Sequence, residues 1–181
     1  MEWFIPGTVL KADRAAAVDQ QFSAMFLGGG IVLSQVTAIT GLEAYAVQNW
    51  VKRGFLSPPE RKHYSLEQLC RIITINMLKN VLPMERIVGL LSYINGDLDD
   101  ESDDIIDDAV LYFMFVRLAA QSRMMNTPQG RDECIAKELA DYREPVPGAK
   151  ERVAKVLTIM LTAWASAQLR LAAEQMLQEL N

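Results

Sequence analysis

One histidine, two cysteines and no uninterrupted membrane-length apolar run narrow what this 181-residue chain is built to do. His63 stands alone, so any Ser-His or Cys-His couple would have to share it, and no nucleophile-elbow signature surrounds a Ser, Thr or Cys. Cys70 and Cys134 have neither CxxC spacing nor a histidine nearby in sequence, which excludes a zinc motif and a disulfide framework. Both read as small apolar residues for the interior. Ten glycines and seven prolines are too few for a collagen-like or low-complexity chain, while 50% hydrophobic and 23% charged residues is a globular balance. The longest charge-free stretch, 20–42, is broken by Gln20, Gln21, Ser23, Gly28 to Gly30, Ser34 and Gln35, so no membrane partner is expected. The N-terminal residues lack a basic segment followed by an apolar one, and the expected location is cytoplasmic. These absences point away from an enzyme, and neither a cofactor nor a metal is expected.

Charge is unevenly spread. Residues 31–96 carry seven basic against four acidic groups, a balance of +3, whereas 97–144 carry thirteen acidic against five basic, −8. The whole-chain charge of −5 therefore hides a local basic region of the kind a DNA backbone attracts. Three segments follow: 1–30, a packing helix and hinge; 31–96, a basic helical unit; and 97–181, an acidic helical domain.

Val18, Phe22, Met25 and Phe26 stand at helical spacing and predict a helix over 12–27, stopped by the hinge Gly28-Gly29-Gly30. The triple glycine matches no phosphate-loop pattern. Ser34 is expected to cap a short helix to Ile39, Gly41 to turn the chain, and a second helix to run over 43–53 until Gly54. A polar stretch to His63-Tyr64 has the length of a small wing. Ser65 and Gln68 form a capping box opening a helix to about Asn80, and Pro83 suits the start of another reaching Asn95-Gly96. The acidic run after Gly96 reads as a solvated helix start. Its Asp97, Asp99 and Glu101 alternate as in a calcium loop, but Ser102 stands where such a loop needs Gly and Asp108 where it takes Glu. Helices are further expected over 109–125, 129–142 and 149–180. In the last, Val153, Leu157, Met160, Trp164, Ala167 and Leu171 keep spacings of four and three, which fits either a coiled-coil seam with a second chain or core packing within this one.

Two helices around a glycine turn is the helix-turn-helix plan, whose second helix enters the major groove. On helix 43–53, Ala44, Tyr45, Gln48 and Asn49 share an outward face, while Leu42, Ala46, Val47 and Trp50 or Val51 turn inward. Gln and Asn make bidentate contacts to adenine, so Gln48 and Asn49 are the base-reading candidates, joined by Tyr45. Lys52, Arg53, Arg61, Lys62, His63 and Tyr64 are the phosphate candidates.

The stretch from Ile31 to Asn95 resembles the N-terminal domain of MerR-family transcriptional regulators. The likeness lies in Gly41, Trp50, the exit Gly54-Phe55-Leu56, the prolines at 58 and 59, and Tyr64-Ser65 leading into Leu66-Glu67-Gln68-Leu69. The segments VQNWVKRG, YSLEQL and INMLKN further resemble an uncharacterised bacterial family with such a domain and a helical remainder. The chain departs from MerR relatives at Gln48 and Asn49, where those usually carry Arg and Tyr, and its wing is shorter. The resemblance implies an all-α protein with a winged helix-turn-helix that binds double-stranded DNA as a homodimeric transcriptional regulator. The alternative is a protein-interaction module on the same scaffold, with the acidic half as its working surface. A third reading, a ligand sensor, would line an apolar pocket with Phe113, Met114, Phe115, Met124, Met125 and Trp164.

Overall fold

A computed structural model of the protein describes residues 3–96, 98, 103–121 and 127–180. The chain opens with a two-stranded antiparallel hairpin, β1 (Trp3–Phe4) and β2 (Lys11–Ala12), then a 3-10 turn at Ala15–Ala17 and helix α1 (Val18–Met25). A second pair, β3 (Ile31–Val32) and β4 (His63–Tyr64), encloses α2 (Leu33–Thr40) and α3 (Ala44–Lys52). There follow α4 (Leu66–Leu78), α5 (Met84–Asn95), α6 (Asp108–Ala119), α7 (Pro128–Glu138) and α8 (Ala149–Gln178). The described chain is thus mostly helical, as expected, with strands only two residues long.

Two helix starts follow their sequence signals closely. Ser65 Oγ accepts from Gln68 N while Gln68 Oε1 accepts from Ser65 N, the reciprocal box that opens α4. Asp107 Oδ1 accepts from the amides of Ala109 and Val110 and caps α6. Other expectations need correction. The first helix begins at Val18 rather than at residue 12, because Lys11 and Ala12 pair with Trp3 and Phe4. Ser34 lies inside the first turn of α2, and it is Gln35 that reaches back to accept from Val32 N. The helix expected over 129–142 closes at Glu138, since Leu139 and Tyr142 turn inward instead, the Tyr142 hydroxyl donating to the Ile105 carbonyl. The candidate calcium-loop residues Asp97, Asp99, Glu101 and Ser102 lie outside the described residues, as do Met124 and Met125.

The core is centred on α4. Nine of its thirteen residues are buried, among them Leu69, Ile72, Ile73 and Ile75, and it packs on α2, α5, α6 and α8. Packing therefore crosses Gly96, where the charge changes sign. Phe113 and Phe115, considered above as pocket walls, are core fillers: Phe113 meets Phe22 edge to face, and Phe115 does the same with Trp164. The N-terminal hairpin is fastened to the α2–α3 turn. Asn76 Nδ2 donates to the carbonyls of Gly7 and Thr40, at 2.9 and 3.0 Å, and Val9 N donates to Ile39 O. A side chain at Gly7 (φ 77°) would meet Ile73 O at 2.7 Å, so this approach requires glycine.

Helix α8 is 30 residues, about 45 Å long. Val153, Leu157 and Met160 of the expected seam are buried in this chain's own core, Trp164 and Ala167 are half-buried, and Leu171 is exposed. The first half of the helix thus packs internally and its second half stands clear. By length and composition α8 is the one helix among the described residues apolar enough to cross a membrane.

Candidate nucleic-acid interface

The positioning of α3 begins at Gly41, which ends α2 at φ 69° with its amide donating to Thr37 O. This left-handed residue redirects the chain within three residues, and buried Leu42 anchors the turn. α3 then buries Val47 and Trp50 and turns Ala44, Tyr45, Gln48 and Asn49 to solvent, the division expected from spacing, with Trp50 rather than Val51 taking the deeper position. Tyr45 is 72% exposed, a large ring on a helix surface with no core to fill.

The polar segment after α3 folds into a tight reversal. His63 N donates to Glu60 O at 2.8 Å, and the two central residues, Arg61 (φ 47°) and Lys62 (φ 71°), both have positive φ. That pairing is the pattern of a type I′ turn, which prefers Asn and Gly because a side chain in this region costs about 1–3 kcal/mol per residue. Here it is occupied by two exposed cations, held at the tip of the reversal. The strand that follows pairs with β3, Tyr64 opposite Ile31 and His63 opposite Val32. His63 Nδ1 lies 3.0 Å from Arg61 O, which ties the imidazole back onto the turn. Tyr64 must be withdrawn from the phosphate candidates: it is 3% exposed, and burial raises its phenol above the usual tyrosine range. The alternation of the strand explains this, since His63 faces out and Tyr64 therefore faces in.

Of the remaining candidates, Lys52, Arg61, Lys62 and His63 are all exposed. Arg53 is exposed but engaged, its guanidinium over the Phe55 ring at 4.4 Å and 3.4 Å from Glu85 Oε1. A shallow groove of about 560 Å³ lies between the start of α2, α3 and the reversal; Gln48 and Lys62 both border it, over an apolar floor of Val32, Leu33 and Val51. It brings the base-reading candidate Gln48 and a cation of the turn onto one surface.

Away from this groove lies a polar cluster that sequence reasoning did not single out. Arg71 on α4 donates through Nη1 to Asp108 Oδ2 at 3.1 Å and through Nε to Phe55 O at 3.1 Å. Asn95 Nδ2 donates to the other carboxylate oxygen of Asp108, at 3.3 Å. The pair thus joins α4, α5, α6 and the segment leaving α3. Burial raises the Asp108 carboxyl above the usual aspartate range, and the adjacent Arg71 only partly offsets it. The same surroundings push the Cys70 thiol well up, burial first and then the charges of Asp108, Asp107 and Glu67. A thiol so protonated is a core residue and a poor nucleophile. Cys134 is likewise buried, and no group of metal-ligating side chains occurs among the described residues. One signal in the sequence pointed at the ion pair: Arg71 interrupts the otherwise apolar run from Leu69 to Ile73, so a partner had to reach it.

Residues 30–115 match a family model described as a domain of unknown function, DUF1836. The span runs from β3 into α6 and includes both partners of the Arg71–Asp108 pair. The chain is 33% identical over 86 residues to an uncharacterised protein, YkrK, of Bacillus subtilis strain 168, an alignment that takes in 45% of this chain and 37% of the relative. The chain thus spans well under half the length of that curated relative. No solved structure matches it. Across the region that holds α2, α3, the cationic turn and α4, this chain is similar to an uncharacterised family.

Proposed function

We propose that the protein binds double-stranded DNA sequence-specifically as a homodimeric transcriptional regulator, using a MerR-like winged helix-turn-helix over 31–96 with α3 in the major groove. The observation that carries the reading is the shared groove edge of Gln48 and Lys62: a side chain suited to a base edge and one suited to a phosphate stand on one exposed surface. Three features support it. The region is locally basic at +3, α3 leaves Tyr45, Gln48 and Asn49 exposed, and the reversal accepts backbone strain in order to hold Arg61 and Lys62 at its tip. Strain of this kind collects at functional sites. The second half of α8 supports the dimer: Leu169 and Met176, at positions i and i+7, are 74% and 66% exposed, and Leu180, just past the end of the helix, is 82% exposed.

Selection from random duplexes, followed by salt-titrated anisotropy on the enriched site, tests this. A palindromic site should emerge, and Lys52→Ala with Lys62→Ala should lower the magnitude of the salt slope by about 0.9 for each phosphate contact removed. Leu169→Glu with Met176→Glu should convert the dimer to monomer in sedimentation and weaken operator binding. Absence of binding at low salt sinks the reading and turns attention to the acidic half as a protein-interaction surface.

A further inference from the structure

The groove that Gln48 and Lys62 border has an apolar floor, and phosphate contacts make no use of one. Val32, Leu33, Val51 and Pro59 reach it from β3, α2, α3 and the segment before the reversal, and all four are half-buried. Their placement follows from the fold. Ile31 of β3 turns into the core, so Val32 beside it turns away; on α3, Trp50 takes the deep position and leaves Val51 at the flank. Apolar residues scattered singly on a surface are ordinary, but four from four segments meeting in one concavity mark a contact surface.

Charge narrows what that surface fits. No carboxylate lines the groove, although the chain as a whole is acidic, and the exposed cation Lys62 stands on its border. The larger cavity beside the start of α4 is by contrast lined by five carboxylates. The groove therefore suits a polyanion that also presents an apolar group. Duplex DNA is such a partner, since the 5-methyl group of thymine projects into the major groove beside the donors and acceptors of the base edges. Val51 lies three residues past Gln48 on α3, about one helical turn away on the same side. An amide suited to adenine and an apolar wall next to it match the two chemistries that A·T pairs display on that edge.

We propose that this groove takes the 5-methyl group of a thymine, packed against Val51 and Leu33 next to the base that Gln48 reads. The proposal rests on the DNA-binding reading above and adds thymine specificity to it.

The test uses the full chain and the duplex enriched by selection. Each thymine of a half-site is replaced in turn by deoxyuridine, which removes the methyl group and leaves the base pairing unchanged. Anisotropy should show one position in each half-site at which affinity falls about fourfold, the worth of one buried methyl group. Val51→Thr keeps the side-chain volume but places a hydroxyl on the floor, and it should bring that thymine-to-uracil ratio to about one. Lys52→Ala should weaken binding to both duplexes alike and leave the ratio at about four. A site whose thymines all become uracil without loss overturns the proposal, as does an unchanged ratio in Val51→Thr; either result leaves the DNA-binding reading standing. Dissociation of a dimer by Val51→Thr, with the ratio still about fourfold, overturns it in favour of a second copy seated on the groove. Absence of binding to any duplex at low salt overturns both.

Discussion

Helices α3 and α4 stand 14 residues apart in the sequence and are put to opposite uses. α4 buries nine of its thirteen residues, including a charged one, whereas α3 buries only Val47 and Trp50 of nine. Nearly every side chain of α4 is committed to contacts with four other helices. α3 is held by two anchors and a glycine turn, so the identity of its outward residues is free of packing constraint. That difference teaches where to look for function: stability resides in α4, and the outward residues of α3, which do nothing for the fold, are where the proposed recognition would fall.

The comparison can be broken by experiment. The largest expected effect is at the buried pair. Asp108→Ala leaves Arg71 charged and buried without its carboxylate, and denaturant unfolding should show a loss of about 3–5 kcal/mol. The surviving folded fraction should keep its sequence preference. A loss below 1 kcal/mol, on the order of a surface ion pair, would mean that the α4 cluster is not the structural centre described.

A smaller and more pointed effect is expected at the reversal formed by residues 60–63. Arg61→Asn with Lys62→Gly gives the turn the residues its geometry prefers, and should stabilise the protein by about 1–2 kcal/mol. The same change should weaken DNA binding and flatten its salt dependence. Stability and affinity moving in opposite directions would mark this turn as strained for function; a fall in both would remove that interpretation. The smallest stability effect belongs to α3 itself. Gln48→Ala should change unfolding free energy by no more than about 0.5 kcal/mol, while altering the enriched sequence in selection. Should Gln48→Ala prove as costly as a core truncation, the division between the two helices fails.

Much of this was legible in the sequence because the signals were local. Ser65 with Gln68, Gly41 and Gly54 act within one helical turn, and their effects do not depend on the rest of the chain. The outward face of α3 followed from spacing alone. What escaped were features that depend on distant partners. Ala12 sat within an expected helix until Trp3 was available to pair with it. Tyr64 looked like a surface aromatic beside His63, and only the pairing with Ile31 decided that it faces inward. Arg61 and Lys62 carry no turn signature at all; the hydrogen bond from His63 to Glu60 and the strand pairing beyond it impose their positive φ.

Sequence by itself determined the helical class, the placement of most helices, the opposition of basic and acidic regions, and which residues of α3 meet solvent. Periodicity, capping and composition are properties of neighbouring residues, and a single chain reports them directly. Only the tertiary structure decided the rest. It brought Arg71, Asn95 and Asp108 together from three helices, divided α8 into a buried and an exposed half, and put Gln48 and Lys62 on the border of one groove. Those arrangements arise from contacts between residues far apart in the chain, where burial and the need to match each buried polar group choose among geometries that local pattern leaves open.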